Sequence, residues 1–306
     1  MAHGAEGPDT PEPSCGRVDV AASVVLACRN AAPFLATQLR ALSDQSWRHP
    51  WELIISDNGS TDRSLEIAEE FRDRFPRMIL VDSSATPGPG AARNAGVRVA
   101  SADRILFCDA DDQVGPDWLA AMADALEEHG LVAARLDHSL LNQWPGLRPS
   151  ADQPGLLQTR PPFSLPYVGS CALGVRRQVH ETLGGFNESY RDAAEDRDYC
   201  YRAQLAGISL VLVPDAVVHY RHRGTPLGVF QQRRSYGRGH VQLYRDYRQL
   251  GLPRPSSWRQ LARWALLPIR LIPALTSRRR LTIWLSRLGW HVGRLEGSLR
   301  HRVWAP

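Results

Sequence analysis

Short β-branched apolar runs alternate along the first half of the chain with longer stretches whose apolar residues recur every three or four positions. "VAASVVLAC" at 20–28 predicts a buried strand, and "PFLATQLRALSDQ" after it puts Phe34, Leu35, Leu39 and Leu42 on one helical face. "WELIISD" at 51–57 predicts a second strand, followed by a helix over 60–71 opened by capping residues. "MILVDS" at 78–83 predicts a third, and the turn "TPGPG" leads into the helix "AARNAGVRVA". "RILFCD" at 104–109 predicts a fourth, and "PDWLAAMADALEEH" a helix with proline in its first turn. Four strand–helix units in succession predict a mostly parallel, Rossmann-like sheet with helices on both faces.

The pattern then weakens. Residues 135–168 carry six prolines and little periodicity, which predicts a long irregular connection, either a cover over a site or a plain surface loop. Strand-then-helix order resumes at "YVGSCALGVRRQVHETLGGF", and "VPDAVVHYRHR" predicts one more strand end. The N-terminal 1–19, rich in Pro, Gly and acids and without a signal-peptide core, is expected to be a disordered leader.

Charge divides the chain. All 37 basic residues are arginine. Residues 1–218 hold 19 of them against 30 acids, a net of −11; residues 219–306 hold 18 against Asp246 and Glu296, a net of +16. This asymmetry points the C-terminal part toward an anionic ligand or surface. Five scattered cysteines without a CxxC pair argue against a disulfide framework or a zinc site, and for a reducing, cytoplasmic location.

The candidate chemistry lies in the turns. Asp109, Asp111 and Asp112 crowd the end of the fourth strand, where α/β folds place ligands. Their repulsion is relieved most simply by a hard divalent cation. Asp57 and Asn58 end the second strand; a carboxylate there either accepts from a base or ribose, or caps the next helix. Gly88 and Gly90 imitate a dinucleotide fingerprint, but Arg93 stands where its third glycine belongs. Arg93 is expected in the first turns of a helix, aimed at a docking anion. Glu195 and Asp196 precede "RDYCYRAQLAG", where carboxylates serve as helix caps or as acid–base groups.

"SVVLACRN", "ELIISDNGSTD", "GPGAARNAG", "ILFCDADD" and "GGFNE…EDRDYCYRAQLAG" together resemble the family-two inverting glycosyltransferases, over about residues 22–222. The resemblance implies the GT-A nucleotide-diphospho-sugar transferase fold over 20–225. It implies that Asp109 and Asp111 form a DxD pair contacting ribose and a diphosphate-bound Mn2+ or Mg2+. It also implies that Ala27, Arg29, Asp57 and Arg93 line the nucleotide site, that Asp196, beside Glu195, is the general base, and that His219, with His222 as rival, completes the metal site. The expected reaction is single-displacement transfer of one sugar from a nucleotide-diphospho-sugar to a hydroxyl of a glycan, lipid-linked or secondary-metabolite acceptor, of the kind used in cell-envelope or natural-product biosynthesis. Processive relatives carry QxxRW, whereas "QQRRSY" at 231–236 has Ser235 in place of the tryptophan.

The alternative from another class is a non-catalytic sugar-nucleotide binder or a peripheral membrane interaction protein. Residues 226–306 predict a basic helical extension, and 257–306 hold ten arginines and five of the nine tryptophans. Leu281, Trp284, Leu285, Leu288, Val292, Leu295 and Leu299 form one helical stripe. Arginines interrupt every apolar run, so no spanning helix is expected. Two readings stand: an interfacial helix on an anionic membrane, such as the inner face of the plasma membrane, or an amphipathic helix docked on its own domain or on a second subunit. No recognition motif accompanies the arginines, so nucleic acid is not an expected partner.

Overall fold

The computed structural model describes residues 20–142, 155–159, 161–254 and 257–305. The expected leader at 1–19 and the middle of the irregular connection lie outside the described residues.

The first four strands form where the apolar runs predict them: β1 (Ala22–Cys28), β2 (Trp51–Asp57), β3 (Met78–Asp82) and β4 (Arg104–Asp109). They are joined by α1 (Ala32–Ser43), α2 (Ser64–Glu70) and α3 (Pro89–Val99). Every residue of β2 is buried, as a parallel strand covered on both faces requires. Helix α1 buries Leu35, Leu39 and Leu42 as its periodicity demands.

The rest of the sheet comes from β5 (Gln113–Val114), β6 (Leu131–Asp137), β9 (Leu173–Arg176) and β10 (Leu210–His219). Strand order is β3-β2-β1-β4-β9-β6-β10-β5, parallel except for β9 and β5. Strand β6 takes the first residues of the stretch expected to be irregular. The two-residue strands β7 (Leu157–Gln158) and β8 (Pro166–Tyr167) pair apart from it. Helices α4 (Trp118–Glu128), α5 (Arg177–Thr182) and α6 (Glu195–Leu205) complete the layers.

The extension is helical: α7 (Pro226–Tyr247), α8 (Ser257–Ile269), α9 (Leu271–Ala274) and α10 (Arg278–His301). Helix α10 lies along α7, running parallel to it, and the contact is made by glycines rather than by the apolar stripe. A Cβ on Gly289 would clash with Phe230 O, and one on Gly237 would meet Trp290 O at 2.5 Å. The face turned to α7 carries Gly289, Gly293, Gly297 and the buried Arg294, whereas Leu295 and Leu299 are exposed. Arg294 is satisfied by Ala305 O, 2.9 and 2.7 Å from Nε and Nη2. Val303 and Ala305 join Tyr190, Tyr201 and Tyr244 in a second apolar core. Helix α10 is thus packed on its own chain through its glycine face, with the end of its apolar stripe left exposed.

Candidate active site

Strands β1 and β4 are neighbours, with Ala27 in register with Asp109. The chain leaves β1 toward β2 on one side and returns as β4 on the other. That makes their carboxyl ends a topological switch point, where open α/β sheets form a crevice. A cleft of about 260 Å3 lies there, lined by Ala27, Arg29, Arg93, Asp109 and Asp111 among others. Gly88, also on its wall, has φ 135°, a conformation that favours glycine, and a Cβ there would lie 3.4 Å from the Arg191 backbone.

Arg93 is the hinge of the site. Its buried guanidinium meets the Asp109 carboxylate through Nη2, and its Nη1 lies 3.2 Å from Glu195 Oε1. Burial opposes its charge, but Asp109 and Glu195 outweigh that and its pKa is raised. Arg93 lines the cleft, with two of its nitrogens held by the chain's own carboxylates. Gly90, one turn earlier, permits this approach, since a Cβ there would lie 3.1 Å from Phe186 and 3.6 Å from Glu195.

The crowded aspartates are relieved largely by arginine. Asp111 Oδ2 accepts from Arg223 Nη1 at 2.8 Å, and the Arg221 backbone N–H donates to Asp112 Oδ1 at 2.8 Å. Asp112 is buried, and its Oδ2 has no partner among the described residues. Burial, reinforced by Asp111 and Asp109, pushes its carboxyl well above the usual range. Burial also raises Asp111, against the pull of Arg223.

Glu195 and Asp196 open α6 after Ala194, which adopts φ 76°. Glu195 is buried against Arg93, and its pKa is pushed up to about 7 by burial and by Asp196. Burial raises Asp196 as well, with Arg197 opposing. The Asp196 carboxylate accepts from the Arg197 backbone at 2.7 Å and has no ion pair among the described residues.

Asp57 and His219 are placed differently from the other expected site residues. Asp57 does not line the cleft; its carboxylate accepts from the backbone N–H of Gly59 and Ser60, at 3.1 and 3.0 Å. Its neighbour Asn58 does line it, tying Gly88 N to Oδ1 at 2.9 Å and donating to Ser83 O at 2.6 Å. His219 ends β10 with Nδ1 2.6 Å from Asp137 Oδ2, outside the cleft lining. His222, its rival, stacks on His138 with ring centroids 5.1 Å apart.

Asp109 and Asp111 both line the cleft, and their carboxylates are the donor type that a hard divalent cation takes. His219 is not gathered to them. Asp109, Asp112 and Cys171 also bring their donor atoms within 4.8 Å of one another. There burial pushes the Cys171 thiol well up and keeps it protonated, a poor ligand for Mn2+ or Mg2+.

Three contributors went unread in the sequence. Phe34, assigned to the core face of α1, lines the cleft with Arg221 over its ring at 4.8 Å. Arg191 lines it from the loop before α6. Gln38, buried in α1, donates to Asp109 O at 3.1 Å and accepts from Val114 N at 2.9 Å, locking the acidic turn. A glutamine on an otherwise apolar helical face was the available signal.

The description "Glycosyl transferase family 2" matches residues 23–184, over half of the chain, and "Glycosyl transferase family group 2" matches 104–293. The chain belongs to glycosyltransferase family 2. Among curated family relatives, the "uncharacterized glycosyltransferase YibD" of Escherichia coli is 37% identical over 35% of this chain and 30% of its own length. A Haemophilus influenzae glycosyltransferase is 34% identical over 36% of this chain and 44% of its own. The chain thus spans less than half the length of these two. Glycosyltransferase AglE of Haloferax volcanii is 25% identical over 91% of this chain and 96% of its own. The fold is GT-A. Mannosyltransferase PcManGT from Pyrobaculum calidifontis, in complex with GDP-Man and Mn2+, superposes with a TM-score of 0.59 at 18% identity, covering 94% of this chain and 90% of that one. Residues 1–349 of Staphylococcus aureus TarS with UDP superpose at 0.51, with 17% identity over 93% of both chains.

Proposed function

We propose that this glycosyltransferase moves one sugar, with inversion and without processivity, from a nucleotide-diphospho-sugar to a hydroxyl of a glycan, lipid-linked or secondary-metabolite acceptor. One observation carries the proposal: Arg93 joins Asp109, at the end of β4, to Glu195, beside Asp196 at the start of α6. A donor-side carboxylate and an acceptor-side carboxylate are thereby held in one fixed frame. In this reading Ala27, Arg29, Arg93 and Asp109 meet the nucleotide sugar, and Asp57 acts through the turn that presents Asn58. The complexes of PcManGT with GDP-Man and Mn2+ and of TarS 1–349 with UDP-GlcNAc support such a donor. Free, buried Cys28, Cys108, Cys171 and Cys200 suit a reducing compartment, in keeping with a cytoplasmic reaction.

Asp196 takes the proton of the acceptor hydroxyl as the new oxygen–carbon bond forms at the anomeric carbon. The bond from that carbon to the diphosphate oxygen breaks, and the nucleoside diphosphate departs with the electron pair. A carboxylate whose pKa is raised by burial is a stronger base than an ordinary aspartate. Asp109 and Asp111 would hold a divalent cation, which when bound offsets the charge gathering on the leaving diphosphate. Glu195 keeps Arg93 in place. Residues 20–225 supply the chemistry in this reading, and 226–306 form the extension that buttresses it.

A panel of nucleotide sugars, screened by thermal shift with and without Mn2+, tests the donor assignment, since a ligand of the folded state raises apparent stability by mass action. At least one nucleotide sugar is expected to raise the melting temperature, and to raise it further with Mn2+. A panel without any shift contradicts the donor assignment.

A further inference from the structure

Among the described residues, the largest exposure of apolar side chains in the extension lies not on α10 but at the turn formed by the end of α8, α9 and the residues after it. Ile269 is 69% exposed, Ile272 79% and Leu275 67%. Two prolines, Pro268 and Pro273, break the helix there. Nothing in the rest of the described chain covers these side chains, and side-chain burial is the usual fate of Ile and Leu. Three large apolar side chains exposed within seven residues of chain mark a place where another surface can dock.

The charge around the patch identifies its partner. Residues 247–295 contain ten arginines and not one Asp or Glu. Arg263, Arg270, Arg279 and Arg280 are exposed, and among the described residues none of them meets a carboxylate. A second copy seated face to face on the same patch would set these arginines against each other, because a two-fold interface is self-complementary. A lipid surface with anionic headgroups satisfies both features: the aliphatic tips enter the boundary layer while arginines around them stay at headgroup level. No helix of the described residues is long and apolar enough to cross a membrane, so the contact is a surface one.

The position of the patch gives it a consequence for the cleft. Helix α8 runs back along α10, with Trp284 Nε1 donating to Leu267 O at 2.9 Å and Trp264 beside His291. The turn therefore comes to the N-terminal ends of α7 and α10, where Arg278 Nη2 donates to Gly224 O at 3.2 Å. One residue before Gly224, Arg223 lines the cleft and holds Asp111. We infer that Ile269, Ile272 and Leu275, with the exposed Arg270, Arg279 and Arg280 close to them along the chain, dock this chain on an anionic lipid surface and bring the cleft close to it. The contact follows from the surface alone. Only its use, to reach an acceptor presented at that surface, rests on the transferase reading.

Co-sedimentation with vesicles, one set of phosphatidylcholine and one of phosphatidylcholine with phosphatidylglycerol in equal parts, tests the contact without any assay of transfer. The full chain is expected to bind the anionic vesicles and to lose binding as salt rises. Ile272→Glu with Leu275→Glu is expected to lower partitioning about tenfold or more at an unchanged melting temperature, since both side chains already face water. Arg279→Gln with Arg280→Gln is expected to reduce binding to anionic vesicles and leave the small binding to neutral ones unchanged. Absence of binding to both vesicle sets overturns the inference, as does equal binding by the Glu variant. Overturning it equally would be a dimer in solution that the Glu variant dissolves, because a second copy would then occupy the patch.

Discussion

Arg93 meets Asp109, 16 positions along the chain, and Glu195, 102 positions along it, within one buried contact. Replacing it by methionine keeps the bulk and leaves both carboxylates without their cation. The expected cost is about 3 kcal/mol, the lower end for a broken buried pair because Asp109 keeps part of its surface in water. Urea unfolding measures it, and a loss below about 1 kcal/mol would place the pair among ordinary surface bridges. Asp111 carries a different burden. Asp111→Asn is expected to lower turnover about a hundredfold or more while the fold stays intact, since a bound cation contributes several kcal/mol of charge stabilisation. Full activity of that variant, or of the native chain in EDTA, would remove the metal from the account. The pH dependence follows from Asp196. It must be ionised to accept a proton, and burial raises its pKa. Activity is therefore expected to fall with decreasing pH, along a limb set above that of an ordinary aspartate. A pH–rate profile whose acid limb sits at the ordinary aspartate value would argue against Asp196 as the base.

At the scale of elements, the parallel pair α7–α10 depends on missing side chains. A Cβ on Gly293 would clash with Arg234 O, and one on Gly239 with Ala193 O, each far inside ordinary contact. Gly293→Val is expected to destabilise the protein by about 2–3 kcal/mol, the range of an overpacked core. Gly239→Ala presses on the residues just before Glu195 and is expected to cost activity beyond its cost in stability; equal losses would uncouple α7 from the site. Strands β1, β2 and β4 were legible because a parallel strand buried on both faces carries a mostly apolar run, and the edge strand β3 because its "MILV" is apolar as well. The acidic strand end was legible for the same reason, since β4 delivers Asp109 directly to it. Asp57 was ambiguous because a carboxylate after a strand caps a turn as readily as it meets a ligand, and local spacing does not separate the two. The α10 stripe left its role open because periodicity reports which residues share a face, not which face is packed. Glycines four apart at 289, 293 and 297 were the better signal for a close helix contact.

Across the whole molecule, the basic extension and the acidic body are not separable pieces. Val303 and Ala305 pack with Tyr190 and Tyr201, and Asp192 accepts from Arg238 at 2.7 Å and Arg300 at 3.2 Å. Deleting residues 257–306 is expected to abolish cooperative unfolding rather than yield an active core, and a soluble, cooperatively folded truncation would contradict the shared core. Long-range pairings such as Arg93–Glu195 and His219–Asp137 were beyond the sequence, because only the fold brings them together. The central claim is that Asp109 serves the donor and Asp196 the acceptor across one cleft. Asp196→Asn keeps the shape of the side chain and cannot take a proton. Donor affinity and transfer measured together on this variant separate the two roles. Donor affinity is expected to stay near that of the native chain while transfer falls about a hundredfold or more, the usual contribution of a positioned base. A collapse of donor affinity in step with transfer, or transfer left intact, would contradict the account.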